Sequence, residues 1–334
     1  TPFWRHLQTL PVKAPVQLPE STRSGPTECP PGRSLESLEL LPRLDWAEGF
    51  ETAWNPTLNG AEEALAGFLE GPVARYTARR DRPAIRGTSR LSPFLAHGQL
   101  GPRQVWAAAQ LSGAAEGKDG FKFLSEIGWR EFGYHLMVHF DHTPTEALNA
   151  AYRDFPWQPD SAALDAWQRG QTGYPVVDAG MRELWHTGWM HNRIRMVVAS
   201  LLVKHLLQPW QEGARWFWDT LVDADLASNT MGWQWSAGCG ADAAPYFRIF
   251  NPMLQGQKFD PKGVYVRRWV PELAGLPDKY LHTPWEAPDD VLRQAGVILG
   301  KTYPHPIIEH KTGRQRALDA LAENKARNER QALV

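Results

Sequence analysis

The sequence predicts an all-α fold. From Asp45 onward, amphipathic segments of helical period are separated by Gly and Pro, and no run of alternating β-branched residues competes with them. The chain has 334 residues, 43% hydrophobic and 22% charged, with 36 basic and 37 acidic side chains and a net charge of −1. That composition excludes a disordered tail and gives length for roughly two domains. Cys29 and Cys239 are the only cysteines, which excludes a disulfide framework or a cysteine-rich zinc module and favours a reducing, intracellular setting. The longest strongly apolar run, Met196 to Val203, is eight residues, against the roughly 20 needed to cross a bilayer. No membrane span and no signal peptide are expected. The chain opens at Thr1 inside what reads as a linker, and is expected to be part of a longer protein.

Taken in order, residues 1–45 hold eight prolines, at 2, 11, 15, 19, 26, 30, 31 and 42, and read as an extended connector. A helical domain is expected over 46–334. Between Arg75 and Arg103 seven arginines (75, 79, 80, 82, 86, 90, 103) accompany one acid, Asp81, a local anion-binding surface in a nearly neutral protein. Inside it, Gly87-Thr-Ser-Arg-Leu-Ser92 offers hydroxyls and backbone N–H groups where a helix begins, an arrangement that holds phosphate. A dinucleotide and a DNA backbone both fit. A helix is predicted over Phe121 to Phe140, on which Glu126, Trp129 and Arg130 fall at i, i+3 and i+4 and share one face. Another starts near Asn192, with Ile194, Val197, Val198, Leu201 and His205 as its buried stripe and Asn192 and Met196 as a second polar and apolar pair. Thr312 to Gln331 reads as a helix with a solvated face.

Tryptophan is in excess: 16, against 13 Phe and 8 Tyr. Core filling explains part of it, and stacking on nucleobases or a flat cofactor is the sharper explanation for the rest. Two other patterns are decoys. Gly238-Cys-Gly-Ala-Asp-Ala243 matches a dinucleotide fingerprint, but no strand leads into it and Pro245 interrupts any helix after it. His135, His139 and His142 lack the glutamate or cysteines of a metal site, so no metal is expected.

At Gly188-Trp-Met-His-Asn-Arg-Ile-Arg-Met196 and Gly232-Trp-Gln-Trp-Ser236 the chain resembles the flavin-binding domain of the photolyase/cryptochrome family. The likeness continues through Asp242-Ala-Ala-Pro-Tyr-Phe-Arg-Ile-Phe-Asn-Pro252 and Tyr303-Pro-His-Pro-Ile-Ile-Glu-His310, and runs from about Trp4 to Arg316. Within the family it looks like a class I cyclobutane pyrimidine dimer photolyase. The resemblance implies a multihelical FAD-binding domain that repairs ultraviolet-damaged DNA by light-driven electron transfer from reduced FAD. It also implies an N-terminal α/β domain with an antenna chromophore, which nothing in this chain encodes.

Carried over residue by residue, the resemblance assigns Tyr76, Thr88, Ser89, Arg90, Leu91, Ser92 and Arg130 to the FAD phosphates and ribose. Asp223, Ala224 and Asp225 fall to the flavin and adenine portions, with Arg195 pairing with Asp223, and Asn229 to flavin N5. It assigns Glu126, Trp129, Asn192, Met196 and Trp235 to a flipped-out dimer, since such a lesion must leave the duplex to be reached. Arg80 and Gln255 become DNA contacts, and Trp157, Trp210 and Trp233 an electron relay to the flavin. Ala224 stands where Gly is common, and Thr230-Met231 replace a usual Asn-Gly. The implied enzyme is a bacterial-type cytoplasmic monomer associated with the nucleoid through DNA. A cryptochrome-like blue-light photoreceptor and a helical DNA-binding module without catalysis are the alternatives. Asn229 favours repair, because photoreceptor members commonly carry Asp or Cys at that position.

Overall fold

The computed structural model describes residues 2–16, 31–34, 36–40, 46–242 and 247–332. Among them there is no strand, and one isolated bridge pairs Leu299 with Tyr303. The helices run α1 Pro2–Leu7, α2 Glu48–Ala53, α3 Leu58–Glu70, α4 Tyr76–Arg79, α5 Ser92–Ala96, α6 Pro102–Leu111, α7 Gly117–His139, α8 Ser161–Gln168 and α9 Pro175–Thr187. They continue with α10 Asn192–Ser200, α11 Trp210–Thr220, α12 Leu226–Ala237, α13 Pro252–Phe259, α14 Val264–Trp269, α15 Asp278–Leu281, α16 Asp289–Gln294 and α17 His310–Gln331. The fold is therefore all-α, as predicted. None of these helices is long and apolar enough to cross a membrane.

Local chemistry sets the helix ends. Thr57, Asp160, Asp225 and Asn251 cap α3, α8, α12 and α13 by accepting from the backbone N–H groups of the first turn. Gly188 and Gly238 end α9 and α12 in the left-handed conformation that glycine adopts without strain. Gly238 thus terminates a helix, and the fingerprint around it has no strand before it. Residues 243–246 of the same run, and Cys29, lie outside the described residues.

Two differences from the sequence reading stand out. Residues 2–7, expected within an extended connector, form α1, which seats Trp4 against Gly128 of α7. A Cβ on Gly128 would come within 2.4 Å of that indole. Six residues give fewer than two turns of periodicity, too few to register beside the prolines. The stripe predicted from Ile194 to His205 is buried throughout, but it is not one α-helix. After Ser200 the chain widens into a π turn over Leu201–His205, with Leu206 N–H donating to Leu201 C=O. Lys204 and His205 are thereby both buried. Lys204 Nζ donates to Ala237 C=O at 2.6 Å and lies 3.1 Å from the centre of the Phe247 ring.

His205 Nε2 meets His310 Nδ1 at 2.8 Å, and its other ring nitrogen has no partner. Burial, then His310, pushes the His205 pKa down to about 4, and burial pushes His191 to about 4 as well. A base held neutral in the fold gives stability that is complete above its unfolded pKa and lost as pH falls through 6.5 toward 4, because the unfolded chain takes up the proton first. Each histidine contributes at most about 3 kcal/mol of this acid dependence. Glu183, raised by burial to about 7, works in the opposite sense as its stability is lost with rising pH. Urea melts of His205→Gln should show a flatter fall in stability between pH 6.5 and 4 than the parent; parallel profiles would contradict this.

The apolar side chains form two main cores. A smaller one joins α3 to α7 through Leu65, Phe68, Tyr76, Leu91, Leu95 and Phe123. A larger one spans α8 to α12 and α14 to α16, with Trp167, Tyr174, Trp210, Phe217 and Trp233 among its largest members. Where α11 and α12 cross, Gly213 lets the Trp233 ring lie flush against the backbone, since a Cβ there would meet that ring at 2.0 Å.

Candidate functional site

A cavity of about 550 Å³ opens at the seam between the two cores. Tyr76, Leu91, Leu95, Phe123 and Ile127 line it from the smaller core, and Ala199, Phe217, Leu221 and Trp233 from the larger. Its wall is therefore apolar and aromatic, with polar groups at a few points, as in sites for flat organic ligands.

Those polar groups come from four segments. The 88–92 segment contributes Thr88, Ser89, Arg90, Leu91 and Ser92, and α5 starts at Ser92. The arginine stretch does not act as one surface. Arg75, Arg82, Arg86 and Arg103 are exposed, whereas Arg80 and Arg90 line the cavity. On α7, Arg130 lies over the Tyr134 ring at 4.6 Å and donates to Glu131 at 3.1 Å, and Tyr134 O–H donates to Asp225. Asp225 also caps α12 by accepting from Ser228 N–H at 2.8 Å. Asp223, with a side chain only 2% exposed, accepts from Arg195 Nη2 at 2.7 and 3.0 Å, while Arg195 Nε donates to Met190 C=O. Asn229 donates its amide N–H to Ala214 C=O at 2.9 Å, which fixes the direction of its carbonyl oxygen. Ala224 lines the cavity beside the two aspartates.

Glu126, Trp129, Asn192, Met196 and Trp235 line the same cavity, with Asn192 exposed and the others half-buried. Two helices, α7 and α10, and the end of α12 bring these together. Glu126 accepts from Arg80 and pairs with Lys122 at 2.8 Å, so two cations hold its carboxylate. Arg80, expected to touch DNA, lines the cavity with a side chain 16% exposed, lies over Tyr76 at 5.3 Å and donates to Glu126. Burial beside Tyr76 gives it that role, because a guanidinium withdrawn from water needs a carboxylate partner. Gln255 sits on α13 and does not line the cavity.

Trp233 lines the cavity, is 2% exposed, and its indole N–H has no protein acceptor. Trp210 is buried at the start of α11, and Trp157 packs half-buried on Phe155 at 4.5 Å. Neither lines the cavity. The rings against Trp233 are Phe217 at 5.0 Å and Trp167 at 6.1 Å, both edge-on. Trp167, Phe217 and Trp189 were not singled out from the sequence. The tryptophan excess was the one signal that could have raised them, and it does not say which rings meet.

The donor set suits FAD: guanidinium and hydroxyl groups for phosphates, two carboxylates for hydroxyl and amine donors, and an amide among aromatic walls. Residues 123–323 match the family described as the FAD binding domain of DNA photolyase. The chain is similar to a deoxyribodipyrimidine photo-lyase of Agrobacterium fabrum, 51% identical over 325 residues, covering 96% of this chain and 68% of the relative. It is also similar to Cryptochrome-1 of Arabidopsis thaliana, 42% identical over 279 residues, covering 81% of this chain and 41% of the relative. A solved structure described as a bacterial class III photolyase from Agrobacterium tumefaciens superposes with a TM-score of 0.93 at 51% identity, covering 98% of this chain and 68% of that one. The class I expectation has no support in these likenesses.

Proposed function

Because the chain belongs to the photolyase/cryptochrome family, we propose that it is the FAD-holding part of an enzyme that repairs cyclobutane pyrimidine dimers in DNA under blue light, nearer to class III than to class I. One observation carries this reading: a single cavity brings an aromatic, amide-tipped pocket together with a partly exposed Glu126, Trp129, Asn192, Met196 and Trp235. Reduced FAD, when bound, supplies the electron that starts dimer cleavage and accepts it back.

The chain's own residues bind, orient and exclude water. Arg130 and the 88–92 segment would hold the phosphates, Asp223 and Asp225 the hydroxyl and amine donors. Asn229, with its amide N–H donated to Ala214 C=O, would offer its carbonyl oxygen as an acceptor to a protonated flavin N5. Trp129 and Trp235 would flank a flipped-out dimer, a geometry that takes the lesion out of the stack. Glu126, held by Arg80 and Lys122, presents a carboxylate to pyrimidine N–H donors. We take residues 46–334, with α1 seated on them, as the working unit, acting on damaged DNA as a cytoplasmic monomer. A photoreceptor is the second reading, favoured by the likeness to Cryptochrome-1.

An absorption spectrum of the purified protein, followed by repair of irradiated oligothymidylate in light and in dark, tests the reading. Protein that takes up no flavin, or that repairs nothing in light, would overturn it. Within it, Trp129→Ala should weaken binding to damaged DNA by about 1 to 3 kcal/mol, the range for losing one base–aromatic stack. Binding to intact DNA should change little, because that term comes from phosphate contacts and carries the salt dependence. Titrations of both DNAs at two salt concentrations check this, and equal losses would place Trp129 outside the dimer pocket.

A further inference from the structure

Arg90 is one of the few non-glycine residues with a positive φ, +54°. An L side chain in that region costs about 1 kcal/mol and persists only where its surroundings hold it. Here they do. The Arg90 guanidinium lies 4.4 Å over the Trp189 ring and 5.9 Å from that of Trp54, with Nη2 4.0 Å from Glu183 Oε1. Glu183 has a side chain only 5% exposed, and its other oxygen accepts from Tyr265 O–H at 2.7 Å. Trp189 Nε1 meets Ser92 Oγ at 3.4 Å, tying the far end of the same segment to the same wall. Trp54 in turn donates to Thr187 C=O, and Thr187 O–H donates to Glu183 C=O. The end of α9 and the loop after it thus form a socket for one side chain.

We propose that Arg90 is a positioning residue: its guanidinium plugs this socket, and the plug fixes the backbone of 88–92 in the shape that receives the cofactor phosphates. The proposal rests on the FAD reading above. It differs from assigning the guanidinium to a phosphate, because it makes Glu183, which does not line the cavity, matter for FAD affinity.

The test is a double-mutant cycle with Arg90→Ala and Glu183→Ala, and Glu183→Gln as the isosteric variant should the truncation fail to fold. FAD affinity is read by fluorescence, and amide exchange at 88–92 in the flavin-free protein. Each single variant should weaken FAD binding by about tenfold and speed exchange at 88–92, and the double variant should be no worse than the weaker single one. Losses that multiply, with exchange unchanged, would overturn the proposal and make Arg90 a direct ligand. Should the parent protein take up no FAD, the function reading fails. The exchange measurement still decides whether Glu183 holds the segment.

Discussion

Trp233→Phe, loaded with oxidised FAD and illuminated with an external electron donor, should fail to accumulate reduced flavin. The same variant, chemically reduced beforehand, should still repair dimers. Trp233 lines the cavity, Trp210 is buried in the same core and Trp157 packs against that core; on the proposed reading an electron arriving from the surface would enter the cavity through this indole. Phenylalanine is much harder to oxidise and fills part of the same volume against Gly213. On the proposed reading, repair from reduced flavin would need no relay, so the two activities should separate. Normal photoreduction in the variant would remove Trp233 from the path. Loss of repair in the pre-reduced variant would instead mean that the void left by the smaller ring disturbs the pocket.

Arg195→Ala should destabilise the protein by about 3 kcal/mol and abolish stable flavin retention. It leaves Asp223, almost fully buried, without the guanidinium that donates to both its oxygens, and an uncompensated buried charge is more costly than the pair was favourable. The double variant Arg195→Ala with Asp223→Ala should recover part of the loss in urea melts, since no unpaired ion then remains. A single variant within about 0.5 kcal/mol of the parent would show that water reaches Asp223 in place of the arginine.

How far the sequence could be read depended on length of signal. Long periodic segments such as α7 and α17 were legible because several turns repeat the pattern, and their ends moved by a few residues. α1 was not, being too short, nor was the π turn, which keeps the apolar stripe while changing the helix beneath it. Around the cavity, residue types were legible but partners were not. Seven arginines announce anion binding, yet only packing decides that Arg80 turns to Glu126 and Arg90 to a tryptophan socket. Tryptophan count pointed to stacking without showing that Trp233 meets Trp167 and Phe217. The class within the family was read as class I from the same motifs, and the likenesses do not support that reading.

The cavity at the seam of two cores makes the ligand part of the protein's own cohesion. A molecule filling it touches aromatic side chains from both halves, so its binding free energy adds to the free energy that keeps those halves together. At a thousandfold excess over its dissociation constant such a ligand adds about 4 kcal/mol to folding stability. Host cells short of riboflavin would then yield less intact protein.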